Sequence, residues 1–65
     1  MKIQLNGEAK EVQAADVLTL ITELGLERRL IAIERNLEVV PKSQYAETLL
    51  VEGDRIEVVH MIGGG

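Results

Sequence analysis

"KIQLNGEAKEVQAADVLTLITELG", residues 2–25, decides the fold. Its first five residues alternate, with Ile3 and Leu5 on one face and Lys2, Gln4 and Asn6 on the other, the pattern of a half-buried strand. Asn6-Gly7 follows, and both residues tolerate the positive φ of a tight hairpin turn. "EAKEV" (8–12) then reads as the returning strand. Asp16 is placed to cap a helix by accepting hydrogen bonds from the free amides of its first turn. Val17, Leu20, Ile21 and Leu24 recur at i, i+3, i+4 and i+7, one apolar stripe, with Thr19, Thr22 and Glu23 facing outward. Gly25 stands where a left-handed residue ends such a helix. A hairpin followed directly by an amphipathic helix is therefore expected.

Downstream of this unit, "RLIAIE" (29–34) is short, apolar and partly β-branched, and reads as an interior strand. Asn36 marks a turn. "EVV" (38–40) is a brief strand closed by Pro41, which has no amide to give a ladder. Ser43 is expected to cap a single helical turn through Tyr45 and Ala46. "TLLVE" (48–52) fits no one period, and Glu52-Gly53-Asp54 reads as a turn. "RIEVVHMI" (55–62) is the last strand, with Ile56, Val58, His60 and Ile62 on one face and Arg55, Glu57, Val59 and Met61 on the other. One helix crossing one face of a mixed sheet is the economical way to bury these stripes. The expected fold is α+β, a ubiquitin-like β-grasp over residues 1–62, with a flexible glycine tail at 63–65.

Composition narrows the function. Sixty-five residues make one domain. Without cysteine there is no disulfide and no thiolate metal site, so the core is aliphatic, with Tyr45 the one aromatic. Eleven acidic against seven basic residues give a net charge of −4, which argues against nucleic acid and against an anionic membrane surface. No run approaches the roughly 18 apolar residues of a membrane span. Met1 leads directly into strand-like sequence, so no signal peptide and a cytoplasmic location are expected. His60, the one histidine, reads as a surface residue, since a single imidazole without a placed partner makes no metal site. Glu34, Glu38, Glu52, Asp54 and Glu57 read as a solvated acidic face able to steer a basic partner. No catalytic constellation is expected.

"HMIGGG" (60–65) is the unusual feature. Glycine adds nothing to a core and loses the most backbone freedom on ordering. Three extended residues reach about 10 Å, and a thread without Cβ atoms can enter a narrow enzyme channel. A carboxylate carbon is a poor electrophile until it is activated, as by adenylation from ATP, after which a sulfur nucleophile can displace AMP. Gly65 would leave that carbonyl unhindered. Val59 and Met61, on the face opposite Ile56 and Val58, would form an apolar docking patch beside the tail.

"IAIERNLEVVPKSQYAETLLVEGDRIEVVHMIGGG" (31–65), with its Asn36…Val40-Pro41 segment, its Gly53-Asp54 turn and its terminal Ile-Gly-Gly-Gly, resembles the ThiS family of sulfur carriers in thiamine biosynthesis. The resemblance extends over the whole length and includes Asn6-Gly7. It implies that a ThiF-like adenylating enzyme activates Gly65 with ATP. Sulfur from a cysteine desulfurase-type donor then makes a thiocarboxylate, and a ThiG-like thiazole synthase takes that sulfur. It also implies that Gly63 and Gly64 thread partner active sites, that Val59, Met61 and Ile62 lie at the partner interface, and that the carrier holds no permanent cofactor and catalyses nothing. The small subunit of molybdopterin synthase shares the fold and a terminal Gly-Gly, but is longer and tends to carry Pro before the glycines. A ubiquitin-like protein modifier, which would pass the activated glycine to a lysine, is a further alternative, as is a non-covalent binding module.

Overall fold

The computed structural model describes residues 1–61. Strands β1 (Lys2–Leu5) and β2 (Glu8–Glu11) form the first hairpin, with Leu5 opposite Glu8. The two residues between them, Asn6 and Gly7, have φ of 49° and 84°, the paired positive values that match the twist of the flanking strands. Helix α1 (Val17–Glu23) follows. Then come a 3₁₀ turn (Arg28–Leu30), strand β3 (Ile31–Arg35), strand β4 (Glu38–Val40), a second 3₁₀ turn (Lys42–Gln44) and strand β5 (Arg55–His60). The sheet order is β2-β1-β5-β3-β4. β1 and β5 run parallel and the other pairs antiparallel, so the sheet is mixed and β5 is its centre.

Helix α1 forms as its sequence dictates. Asp16 has extended backbone and its carboxylate accepts from the Thr19 amide at 2.7 Å. The two amides before Thr19 are met from the long crossover. Val17 donates to the Thr48 carbonyl at 3.0 Å and Leu18 to the Tyr45 carbonyl at 3.1 Å. Gly25, at φ 70°, turns the chain out of the helix. Val17, Leu20 and Ile21 are buried and pack with Ile3, Ile31, Ile33, Ile56 and Tyr45. Each such burial contributes about 1.5–3 kcal/mol.

Several local expectations differ from the structure. Ser43 caps nothing: Pro41 holds the cap position of the second 3₁₀ turn, with no side-chain hydrogen bond, and Ser43 lies inside the turn. The segment 29–34 becomes a strand only at Ile31, because Arg28–Leu30 closes first as a 3₁₀ turn. Residues 48–52 make a single bridge, Leu49 with Asp16, and Leu50 enters the core. β2 is wholly exposed, and Val12, just beyond it, is the buried residue.

Asp54 departs furthest from expectation. It is buried rather than solvated. Its carboxylate accepts from Arg35 Nε at 2.8 Å, Asn36 Nδ2 at 3.1 Å and the Val51 amide at 2.8 Å. Burial alone would raise its pKa, but these donors and the Arg35 charge outweigh burial and hold the carboxyl below its ordinary value. Glu52, though exposed, accepts from the Lys2 amide at 3.1 Å.

The second hairpin carries strain. Arg35 stands opposite Glu38, so Asn36 (φ 52°) and Leu37 (φ 73°) form its two-residue turn. Asn accepts this conformation and a bulky residue resists it. Leu37 is 69% exposed and recovers little by packing. Leu37→Gly is expected to raise stability by about 0.5–1 kcal/mol, visible as a higher urea midpoint at unchanged slope. An unchanged or lower midpoint would mean that Leu37 contacts offset the strain.

Candidate functional site

The helix covers the sheet face bearing Ile3, Ile31, Ile33 and Ile56, which leaves the opposite face bare. On that bare face β5 presents Arg55, Glu57 and Val59, β3 presents Ala32 and Glu34, and β4 presents Val39. The register sets Val59 beside Ala32, and Glu57 beside Glu34, which in turn faces Val39. Val59 is 47% exposed, Met61 41% and Val39 68%. The result is an apolar strip at the end of β5, bordered by two adjacent carboxylates. Like charges directly opposite repel; Arg55 Nη2, 3.3 Å from the Glu57 carboxylate, relieves part of this.

The strip is built on the best-anchored strand of the sheet. Asn6 donates its amide to the Ile56 carbonyl at 2.9 Å and accepts from the Val58 amide through its side chain at 2.8 Å, which continues the β1 edge past the end of that strand. On the other side the pairing with β3 runs to Ile31–His60, and the Met61 amide donates to the Leu30 carbonyl at 2.7 Å. The chain is therefore held by backbone hydrogen bonds as far as Met61. Of the site residues expected from sequence, Val59 and Met61 lie here, exposed and on one face. Ile62, Gly63, Gly64 and Gly65 lie outside the described residues.

His60 is exposed on the helix side of β5, at the mouth of a small cleft of about 220 Å3 lined by Leu5, Asn6, Leu24, Leu26 and Val58. Among the described residues no acid or nucleophile lines this cleft with it. Among the described residues no group of three or more His, Cys, Asp or Glu is arranged to hold a metal ion. Nor, among the described residues, is any helix long and apolar enough to cross a membrane. Sequence reading missed one concentration of charge. Arg28, Arg29 and Lys42 line an open hollow of about 520 Å3 together with Leu18, Ser43, Tyr45 and Ala46. Nothing local in the sequence links position 42 to 28 and 29; the crossover after β4 brings them together.

A five-stranded mixed sheet clasping one helix, with an exposed apolar strip at the end of its central strand, defines a small β-grasp protein. Comparison with known proteins agrees. The ThiS family profile matches residues 3–65, and the chain belongs to the ThiS family. It is 37% identical to the sulfur carrier protein ThiS of Bacillus subtilis, over 97% of this chain and 98% of that protein. It is 48% identical over its whole length to a thiazole synthase of Paramagnetospirillum magneticum, of which it spans 20%. The crystal structure of the thiamine biosynthesis protein ThiS from Geobacter metallireducens superposes with a TM-score of 0.86 at 28% identity, covering 100% of both chains.

Proposed function

We propose that this chain carries sulfur for thiazole formation as a thiocarboxylate on Gly65. The observation that carries this reading is the match of residues 3–65 to the ThiS family, which takes in the glycines. In the first step a Gly65 carboxylate oxygen attacks the α-phosphorus of ATP on a ThiF-like adenylating enzyme, and pyrophosphate leaves. In the second, the outer sulfur of a persulfide on a cysteine desulfurase-type donor attacks the carbonyl carbon, and AMP leaves with the bonding pair; a thiolate then attacks the donor's sulfur of the resulting acyl disulfide, forming a disulfide with the donor and releasing the thiocarboxylate. Splitting one difficult substitution into two easier ones is what covalent activation achieves. The carrier presents the reacting atom and catalyses neither step. The use of ATP as driving force supports a cytoplasmic location for the carrier.

The thiazole synthase is the acceptor in this scheme. Support comes from the relative of that name, in which a segment similar to this whole chain occupies one fifth of the length. A chain segment joined to its own acceptor delivers sulfur without a diffusional encounter. The readout is the intact mass of the carrier after incubation with the adenylating enzyme, ATP and a sulfur donor. It should rise by the difference between one sulfur and one oxygen. A carrier joined instead to lysines of other proteins would favour a protein modifier.

The apolar strip supplies the contact surface in this reading, with Val59, Met61 and Ile62 at its tail end. Val59→Asp puts an unpaired charge into the contact and is expected to weaken binding to the adenylating enzyme roughly tenfold or more. Its melting curve should stay close to that of the wild type, since Val59 is half-exposed. Unchanged affinity would place the interface elsewhere.

A further inference from the structure

The hollow between the two 3₁₀ turns has a charge opposite to that of the chain. Three of its seven lysines and arginines, Arg28, Arg29 and Lys42, gather around it in a protein of net charge −4. The other cations are largely engaged or distant: Arg35 binds Asp54 and Arg55 pairs with Glu57. At the hollow, Arg29 has only Glu27 at 3.8 Å, with both side chains mostly exposed. Arg28 and Lys42 have no carboxylate within 4 Å among the described residues. Lys42 Nζ sits 3.5 Å from the Arg29 carbonyl and so stays close to the two arginines.

The position matters as much as the charge. The 3₁₀ turn that carries Arg28 and Arg29 ends at Leu30, and the Leu30 carbonyl receives the Met61 amide. The cations therefore flank the root of the tail. We infer that this basic corner is a docking surface for carboxylate side chains on the rim of the enzyme channel that takes up the tail. The inference rests on the proposed sulfur-carrier reading and adds the chemistry of the contact to it. A nucleotide is the competing anion, and reach argues against it. The nucleotide must meet the Gly65 carbonyl, four residues beyond Met61, which at full extension is roughly 13–14 Å away. What stands over the root of the tail while its tip is in the channel is the channel's rim. An acidic carrier approaching through an acidic rim would be repelled without such a corner. With it, the tail end is turned toward the channel during encounter, an orienting effect that acts on association rates.

The test is the association of the full chain with the adenylating enzyme of the same organism, followed by stopped flow at several salt concentrations. In the triple variant Arg28→Glu, Arg29→Glu and Lys42→Glu, association at low salt is expected to slow by roughly tenfold to a hundredfold. Dissociation should change by no more than about twofold, as expected for steering charges at a rim. The wild-type association rate should fall with added salt, and that of the variant should not. The neutral triple Arg28→Gln, Arg29→Gln and Lys42→Gln should lie between, and circular dichroism would show whether each variant is folded. Equal association rates and equal salt slopes for folded variants would overturn the inference. So would saturable shifts of the Arg28, Arg29 and Lys42 resonances on adding ATP or inorganic phosphate to the carrier alone, which would make the corner a small-anion site. A change in self-association on charge reversal, seen by sedimentation, would instead make it a contact between copies. Sulfur loading at saturating enzyme separates the two readings: a wild type that docks with this salt dependence but never loads sinks the carrier function and leaves the docking surface standing.

Discussion

Deletion of Gly65 is expected to abolish sulfur loading while leaving the melting curve of the domain in place. Among the described residues the twelve buried apolar residues of the core run from Ile3 to Ile56, and the fold they build is expected to survive the deletion. The proposed chemistry, in contrast, depends on where one carbonyl carbon sits. After deletion the reactive carboxylate moves to Gly64 and falls one residue, roughly 3.3–3.6 Å, short of the nucleotide. Misplacement by about 1 Å can already cost on the order of 10²-fold in rate, so the shortened tail should show no mass gain at any enzyme concentration. Gly64→Ala probes the channel separately. A single Cβ in a passage shaped for glycine should slow adenylation on the order of 10²-fold with little change in fold. A truncated chain that still accepts sulfur would refute the assignment of Gly65. Full activity in Gly64→Ala would show that the glycines serve no threading role.

Legibility of this fold from sequence followed the range of the interactions. The Asn6-Gly7 turn, the Asp16 cap and the Val17, Leu20, Ile21 stripe each depend on residues within one or two turns of one another, and all three stand in the structure. Alternation along β5 likewise separates Ile56, which is buried, from Val59 and Met61, which are not. The crossover from Pro41 to Asp54 was opaque because its partners are distant. Leu50 donates to the Ala15 carbonyl at 2.9 Å and Gly53 to the Lys2 carbonyl at 2.8 Å. Glu23 faces outward from the helix and is exposed, yet its carboxylate also accepts from the amides of Gln13 and Ala14, at 3.1 and 2.8 Å. A local reading of Glu52-Gly53-Asp54 sees two carboxylates in a polar turn and predicts solvent. It has no view of Arg35 and Asn36, which sit 19 and 18 positions away and convert Asp54 into a buried acceptor. The basic corner was hidden in the same way, by separation along the chain.

Asp54→Ala is expected to be among the most damaging single substitutions in the molecule. The carboxylate, with its side chain 7% exposed, ties together three parts of the chain: the end of β3 through Arg35, the β3–β4 turn through Asn36, and the crossover through Val51. Removal leaves three donors without their acceptor. Breaking a buried pair by removing one partner costs about 3–5 kcal/mol. Arg35 is 30% exposed and can recover some hydration, so the lower end of that range applies here. A domain of this length has only about 3–10 kcal/mol in all, at 0.05–0.15 kcal/mol per residue. A fall in Tm on the order of 15 °C should follow, at roughly 4–8 °C per kcal/mol for so small a domain. Acid should reproduce part of this effect in the wild type. The Asp54 carboxyl titrates below its ordinary value in the folded state. The stability it contributes is therefore complete above its unfolded pKa, about 3.9, and is lost as pH falls through the lower folded value. The stability gap between wild type and Asp54→Asn should accordingly be constant from neutral pH down to about pH 5, then narrow below about pH 4. A gap that persists undiminished at pH 2, or an Asp54→Ala protein melting within about 3 °C of wild type, would show that shape rather than charge holds these segments together. The same latch fixes β5 at its start, and β5 is the strand whose far end presents Val59 and Met61. Asp54→Ala should thus also weaken partner binding at temperatures where the variant is still largely folded, through loss of strand order rather than loss of contact.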